Sequence, residues 1–327
     1  MILNFYNFFI YYIMKLFIIL PILSIILILI VICKAFYFSK FNGKRLNNFI
    51  IWSSNKNEYN PSISNNIIAI RNCNIEKNNL ILSYIKNNIF QKQKKRMINS
   101  LIIYKNENRI DLNISLEDPR IFYHNNKYYL IAIDSSTFYD YKNDKRNFIP
   151  KLIKLDNHFN IISILPFDMS EFKIPITQKN WNLFNDRNNN ILMITDVYPK
   201  MIIKKVNLEN ANIISKVEHD TTNFFPQIYK KCFIRCSTNF IPWKNNQLIC
   251  ILHIKKYYLY YRSFFFVIED TYPYQPIKYS KIYHFFNERI EFASGLQWKN
   301  NKIVVGLGVN DYKGYITEID PNDIEFI

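Results

Sequence analysis

Short alternations of apolar and polar residues recur along most of the chain, and each is about as long as a β-strand. Examples are residues 128–133, 191–195, 248–253 and 303–308, which are separated by Asn-rich turns. A period of two residues is typical of strands with one buried face, and no long apolar stripe with helical spacing stands out. The pattern predicts an all-β domain over residues 57–327.

A repeated hairpin organises this domain. An aromatic or apolar residue precedes an Asn-rich turn and an apolar strand follows, at residues 122–131, 184–193, 241–250 and 296–305, with a weaker copy at 72–82. A spacing of about 45–65 residues is that of four-stranded propeller blades, so we predict a five-bladed β-propeller. Asn pairs are also frequent by composition alone, but the constant order of aromatic residue, turn and strand argues against chance.

The apolar run at residues 16–33 has a different character. Only a proline and a serine interrupt it, and a lysine flanks each end. An apolar helix of this length just spans a hydrocarbon core of about 30 Å. We predict an uncleaved N-terminal transmembrane helix, with residues 1–34 as a single-pass membrane anchor. A cleaved signal peptide is the alternative, but no A-x-A-like cleavage site follows the run.

Residues 35–56 are predicted to be a basic linker between the anchor and the propeller. More Lys and Arg residues follow the apolar run than precede it, so the positive-inside rule favours a cytosolic propeller. Lysine is abundant throughout the chain, which weakens this count. The side of the membrane therefore stays open.

Charge and cysteine content narrow the possible partners. The net charge of +16 would suit nucleic acid or an anionic membrane, but the lysines are dispersed and the longest basic run is residues 94–96. We therefore expect no nucleic-acid partner. Cys232 and Cys236 lack a second pair of ligands at zinc spacing, so buried free thiols are predicted, with neither metal nor cofactor.

Candidate chemistry lies just before the repeat hairpins, where the innermost strands of a propeller surround the central channel. Carboxylates, cations and amides stand at comparable positions in successive repeats. The candidate site residues are Asn60, Arg71, Glu117, Asp118, Arg120, Lys179, Arg235, Glu291 and Asp311. An inverting hydrolase would need two carboxylates about 6.5–9.5 Å apart, whereas one acid among several cations favours a phosphate or nucleotide-sugar group.

Asp118 is the predicted acid of this group. Repulsion from the adjacent Glu117 would raise the pKa of Asp118, although alternation along a strand would point the two side chains apart. A simpler interpretation is that Asp118 and Pro119 form a turn that starts a strand, with Arg120 as the ion-pair partner of the aspartate.

Aromatic residues and glycines have structural interpretations. Trp181, Trp243 and Trp298 are predicted to pack between blades rather than to bind sugar, because aromatic residues dominate protein cores. His253 either lines the channel or lies in the core. Four of the five glycines follow residue 290, which predicts close backbone approach at this end of the chain.

Six motifs resemble, in order, a known family: YNPSI, EDPRIF, KNWNLF, RCSTNF, IEFASGL and GLGVND. They are similar to those of the five-bladed propeller superfamily of inverting β-mannoside phosphorylases and related β-mannosyltransferases, over residues 60–320. The chain looks like a divergent microbial or viral branch of that superfamily.

The resemblance implies residue roles. Asp118 would be the catalytic acid, Arg120 and Lys179 would lie near an anionic phosphate or donor subsite, and Asn60 and Arg71 would contact the sugar, as would Asp311. Residues 198–200, Tyr-Pro-Lys, stand where the family commonly has a His-Arg pair, so phosphate itself as the co-substrate is in question.

These inferences predict a membrane-anchored, carbohydrate-active enzyme that acts with inversion on β-mannoside-like glycans. Its partners would be a glycan and a sugar phosphate or nucleotide sugar. Glycosyl transfer is favoured over phosphorolysis, because an anchored enzyme suits membrane-associated glycans. The alternative from another class is a non-catalytic propeller that binds glycans or a protein partner.

Overall fold

The computed structural model describes most of the chain in two compact units, residues 1–43 and 44–327. The described residues are 24–29, 43–76, 96–105, 108–135, 139–140, 145–146, 148–172, 178–226, 232–256 and 260–327. In the first unit residues 24–29 are helical, and the rest of the predicted anchor at 16–33 lies outside the described residues. Within the described ranges, no helix is long and apolar enough to cross a membrane.

The second unit is built of strands, which confirms the all-β prediction. The chain enters it through β1 (Lys44–Arg45) and β2 (Phe49–Ser53). Blade I then consists of β3 (Glu58–Ser64), β4 (Ile67–Glu76), β5 (Arg96–Lys105) and β6 (Asn108–Asp111). Each of these four strands pairs antiparallel with the next.

Blades II and III repeat this up-and-down order. Blade II consists of β7 (Glu117–His124), β8 (Lys127–Asp134), β11 (Ile149–Leu155) and β12 (Ile161–Pro166), and the short hairpin β9 (Tyr139–Asp140) and β10 (Lys145–Arg146) precedes β11. Blade III consists of β13 (Asn182–Asn185), β14 (Ile191–Asp196), β15 (Lys200–Val206) and β16 (Ile213–Asp220).

Blades IV and V complete the ring. Blade IV consists of β17 (Phe233–Cys236) and β18 (Ile241–Trp243), which both pair with β19 (Gln247–Lys256), then β20 (Tyr260–Glu269), β21 (Pro276–Tyr279) and β22 (Tyr283–His284). Blade V consists of β23 (Glu291–Lys299), β24 (Lys302–Val309) and β25 (Lys313–Ile319), and the 3₁₀ helix Pro321–Asp323 follows.

The inner strands of neighbouring blades contact one another in a closed ring. Strand β23 contacts β3, β3 contacts β7 and β7 contacts β13, while β14 contacts β17 and β19 contacts β23. The ring is sealed by β2, which pairs with β25 as the outermost strand of blade V. This is a five-bladed propeller, as predicted, but it begins at residue 44, within the stretch assigned to the linker.

The Asn-rich turns have a physical basis in backbone conformation. Both asparagines of the turns at residues 125–126, 245–246 and 300–301 have positive φ, which suits the tight hairpin turns that match strand twist. The equivalent turn of blade I is 65–66, also with both φ positive. The weaker copy predicted at 72–82 does not mark this first turn: residues 72–76 belong to β4, and residues 77–82 lie outside the described residues.

The core lies between neighbouring blades. Blades II and III enclose Trp181, which is fully buried among apolar residues. Trp243 and Trp298, at the hairpin turns of blades IV and V, stack with ring centroids 5.8 Å apart. The prediction that these three tryptophans pack between blades is confirmed.

Blade V presents glycine backbone to strand β3 of blade I. A Cβ atom on Gly308 would lie 2.0 Å from Asn60 Oδ1, and one on Gly306 would lie 1.9 Å from the Pro61 carbonyl oxygen. A Cβ atom on Gly295 would lie 2.5 Å from the backbone nitrogen of Ile63. The glycines near the C-terminus therefore let β3 approach blade V closely, in agreement with the sequence analysis.

Candidate functional site

A bulge at the start of β7 sets the positions of Glu117 and Asp118. The pairing register with β8 shifts between Glu117 and Arg120, and Asp118 has a φ of 50°. Aspartate tolerates this left-handed conformation better than most residues. The bulge interrupts the alternation of the strand, so both carboxylates reach Arg71 Nη1, at 3.4 Å from Glu117 Oε2 and 3.3 Å from Asp118 Oδ1. The prediction that the two side chains point apart is wrong.

Asp118 is a half-buried carboxylate held in its ionised form. Asn60 Nδ2 donates a hydrogen bond to Oδ1 at 3.0 Å. Burial by itself would raise the pKa of Asp118, but the charges of Arg71, Lys179 and Arg120, together with the Asn60 hydrogen bond, hold that pKa well below its usual value. The expectation that Glu117 raises the pKa of Asp118 is therefore wrong, because nearby cations outweigh one neighbouring carboxylate.

Glu117 joins three blades. Its Oε1 accepts hydrogen bonds from Ser135 Oγ at 2.7 Å and Asn99 Nδ2 at 3.2 Å, and its Oε2 accepts one from Lys179 Nζ at 3.3 Å. With Arg71 also on Oε2, both oxygens are engaged by protein donors. Glu117, predicted to bind substrate, is placed to hold Arg71 and Lys179 in position.

Arg71 and Lys179 are the two cations that Glu117 orients. Arg71 Nε donates to Asn99 Oδ1 at 3.0 Å, and its guanidinium lies 5.2 Å from the centre of the Tyr59 ring. Lys179 Nζ stands 3.8 Å from the centre of the Phe148 ring, and its side chain is 29% exposed. Lys179 is thus the cation of this group that solvent reaches most easily.

Arg120 is a buried cation without a paired carboxylate in the part of the chain that the structure describes. Its Nη1 donates to the Pro119 carbonyl at 3.2 Å, its Nη2 to Asn180 Oδ1 at 3.4 Å, and the guanidinium lies 5.2 Å from the Phe292 ring centre. Its Nε has no hydrogen-bond partner among the described residues. The interpretation of Arg120 as the ion-pair partner of Asp118 is replaced by the Arg71 pair.

Asp311 faces this group from the turn between β24 and β25, where its φ is 50°. The residue is solvent-exposed, yet its carboxyl lies close enough to protein that partial burial and the charge of Asp118 together raise its pKa. Arg71 and Lys179 act on Asp311 in the opposite direction. The pKa values of the two aspartates are therefore shifted in opposite directions.

Arg235 and Glu291, also predicted to bind substrate, have other partners. Arg235 Nη1 lies 3.7 Å from Asp196 Oδ1, which joins blades IV and III. Glu291 is buried and accepts hydrogen bonds from the backbone amides of Phe285, Phe286 and Glu288. The structure therefore does not bring Glu291 together with the Asp118 group, and its carboxylate stabilises the loop before β23.

His253 lies in the core rather than free in the channel. It is 4% exposed, its Nδ1 is 2.7 Å from Ser237 Oγ, and its ring packs against Phe292. Burial, together with the charges of Arg235 and Arg120, lowers the pKa of His253 to about 3. The imidazole is therefore neutral at physiological pH.

Three residues of this region were not found from the sequence: Asn99, Ser135 and Asp196. None belongs to a repeated motif. Asn99 reaches Glu117 only because β5 pairs with β4 in a register that sets Asn99 beside Cys73. In the described ranges, no group of three or more His, Cys, Asp or Glu side chains could hold a metal ion.

Comparison with known proteins supports the fold. No protein-family model and no curated protein matches the chain. Solved structures do match: a β-1,2-mannobiose phosphorylase of Listeria innocua in complex with β-1,2-mannobiose has a TM-score of 0.57 at 10% identity, over 83% of this chain and 91% of that one.

Two further structures are similar. A mannose phosphorylase of Leishmania mexicana in complex with phosphate has a TM-score of 0.51 at 12% identity, over 90% of this chain and 94% of that one. A glycosyl hydrolase of Bacteroides ovatus has a TM-score of 0.52 at 13% identity, over 84% and 89%. The resemblance drawn from the sequence motifs is thus confirmed at the level of the fold.

Proposed function

We propose that the protein is a carbohydrate-active enzyme that makes or breaks a β-mannoside-like bond with inversion. The observation that carries this proposal is the buried group at the ring centre, in which Asp118 lies among Arg71, Arg120 and Lys179. Asp118 serves as the acid that protonates the glycosidic oxygen, or as the base in the reverse direction.

The charge balance favours an anionic co-substrate. Arg71 and Lys179 pair with Glu117 and Asp118, whereas Arg120 is buried without a paired carboxylate among the described residues. A buried cation of this kind attracts a phosphate or the diphosphate of a nucleotide sugar, and a preorganised cation stabilises charge that develops on a leaving group. Transfer or phosphorolysis therefore suits this site better than simple hydrolysis.

The structural relatives support the choice of a mannoside as the substrate class. One is described as a β-1,2-mannobiose phosphorylase bound to its disaccharide, and another as a mannose phosphorylase bound to phosphate. At 10–12% identity these relatives support the choice of substrates for a first assay. The motifs around Asn60, Arg71 and Asp311 support a sugar subsite beside Asp118.

Membrane attachment through residues 16–33 is part of this proposal and rests on the apolar sequence alone. The full chain is expected to stay in the membrane pellet after washing with alkaline carbonate. Release of intact chain into the supernatant would show that this segment does not anchor the protein.

The decisive experiment compares the wild-type protein with Asp118→Asn. Substrates are β-1,2-mannobiose with phosphate, and a mannan acceptor with mannose 1-phosphate or a nucleotide mannose. Because a positioned acid contributes about 10²–10⁴-fold, turnover should fall by that factor in Asp118→Asn. Asp156→Asn, in the turn between β11 and β12, is the control and should retain full turnover.

Two outcomes decide against the proposal. Turnover that survives in Asp118→Asn would remove Asp118 as the acid. A wild-type protein that is stabilised by these sugars in thermal unfolding but never turns them over would be a glycan-binding propeller, the second candidate function.

A further inference from the structure

Asp118 presents a chemical problem for the role proposed above. A general acid must carry a proton before the reaction, yet Arg71 Nη1 lies 3.3 Å from Asp118 Oδ1 and Asn60 Nδ2 donates a hydrogen bond to the same oxygen, and both contacts favour the ionised carboxylate in the free protein. The cations of this cluster are the groups that an anionic substrate would contact. The geometry of the cluster therefore links the binding of an anion to the protonation of Asp118.

We propose that binding of an anionic substrate to Arg71, Arg120 and Lys179 is coupled to the uptake of one proton from solvent by Asp118. The inference rests on the proposed function of this site and adds how its acid is activated. Asp118 becomes protonated only when the anion is bound.

The groups that face Asp118 fall into two sets. Arg71 from β4, Arg120 from β7 and Lys179 from the segment before β13 favour its ionised form, as does the amide of Asn60 from β3. Among the described residues, the acidic groups that face this cluster are Glu117 from β7, Asp311 from the β24–β25 turn and the phenol of Tyr59 from β3. The pKa of Tyr59 is raised by burial, so this phenol carries no charge.

The preferred charge state of Asp118 reverses when the positive charge of these cations is neutralised. When a bound anion neutralises the three cations, burial and the carboxylates of Glu117 and Asp311 remain. All of these disfavour a negative charge on Asp118. The side chain of Asp118 is 13% exposed, so little water replaces the lost cation contacts. Protonation of Asp118 is then the response that avoids an uncompensated buried charge.

The cluster has donors to offer an anion. Arg120 Nε is buried without a partner among the described residues, and Lys179 Nζ is partly exposed at the edge of the group. An anion that entered beside Lys179 would compete with Glu117 for its ammonium group. Because coupling is reciprocal, a proton on Asp118 must also strengthen anion binding.

The test uses sulfate as a probe, because sulfate does not titrate near neutral pH and phosphate does. Calorimetric titrations of the full chain with sulfate, in buffers of different ionisation enthalpy near pH 6, count the protons taken up per anion bound. We expect uptake that approaches one proton in the wild type. The dissociation constant should fall as pH falls, by at most about tenfold per pH unit for one proton.

Two variants assign the proton. In Asp118→Asn the uptake should disappear and sulfate affinity should no longer depend on pH. Asp156→Asn serves as the matched control, because its carboxyl also has a lowered pKa but owes this to hydrogen bonds within its own turn. It should take up protons as the wild type does.

Other results overturn the inference. If sulfate binds without proton uptake, or does not bind, the coupling is absent. If uptake persists in Asp118→Asn and disappears in Asp311→Asn, Asp311 and not Asp118 receives the proton. The mannoside assay tests the proposed function independently, since coupling with sulfate in a protein that never turns over a glycan would refute the proposed function alone.

Discussion

The polar side chains near the ring centre have different kinds of partner in its two halves. Blades I to III form a charged half, in which Arg71, Glu117, Asp118 and Lys179 are ion-paired across three blades. In blades IV and V, which we call the neutral half after the uncharged imidazole of His253, Ser237 and His253 pair within one blade and Glu291 accepts hydrogen bonds from backbone amides, while Arg235 pairs with Asp196 of blade III.

Only the neutral half follows the arrangement that stability alone would favour. Buried ion pairs often contribute less than apolar packing of the same volume, because desolvation of each ion costs several kcal/mol. A cluster of three cations and two carboxylates is therefore an expensive way to fill a core. Its presence beside a bulge and a residue with positive φ indicates that the charged half is retained for chemistry.

The largest expected loss of stability comes from removing Glu117, the carboxylate that Arg71 and Lys179 share in the charged half. Glu117→Ala would leave Arg71 and Lys179 without their shared partner, so we expect a loss of about 3–5 kcal/mol of unfolding free energy. In the neutral half, Glu291→Gln keeps an oxygen for the amides of Phe286 and Glu288 but turns an NH2 group towards the amide of Phe285, so it should cost about 1–3 kcal/mol. Urea unfolding at neutral pH measures both, and equal losses would contradict the distinction between the halves.

A second, smaller effect is expected from Gly308→Ala, a substitution in the neutral half that should reduce turnover at the charged half. Gly308→Ala would place a methyl group 2.0 Å from Asn60 Oδ1, so Asn60 must move and weaken its hydrogen bond to Asp118. Overpacking of this kind costs about 1–3 kcal/mol, and turnover should fall with it.

Gly314→Ala is the control for this substitution, because its new methyl group would meet side-chain atoms of Ile70 and Pro61 rather than Asn60. It should reduce stability with little change in turnover per folded molecule. Equal turnover losses in the two variants would mean that Asn60 does not transmit the effect.

The fold was predictable because its signals are local. Positive φ at successive asparagines explains the Asn pairs in the first hairpin turns of blades I, II, IV and V, and strand alternation supplies the rest. The first hairpin was misplaced because asparagine is abundant in this chain and several pairs compete near residues 65–78. The sealing strand β2 was missed because its partner β25 lies at the other end of the chain.

The site was predictable only in part, for the same physical reason. The motifs around Asp118 and Lys179 mark the starts of innermost strands, so residue type and position were sufficient. Ser135 and Asn99 reach Glu117 through strand register and the bulge at Asp118, which no local pattern encodes. The pKa of Asp118 was predicted in the wrong direction because it depends on cations from three separate segments.

The smallest expected effect is a pH dependence that arises in the neutral half. The pKa of His253 is about 3 in the folded protein and about 6.5 in an unfolded chain, so between these values the unfolded state binds the extra proton. Stability is therefore lost as pH falls below about 6.5, by about 1 kcal/mol between pH 7 and pH 5.5 for this one group. His253→Asn should lack this loss, whereas His158→Asn, at an exposed turn, should keep it. Urea unfolding at the two pH values measures the loss of unfolding free energy. An equal loss in the wild type and in His253→Asn would mean that the buried imidazole does not cause this pH dependence.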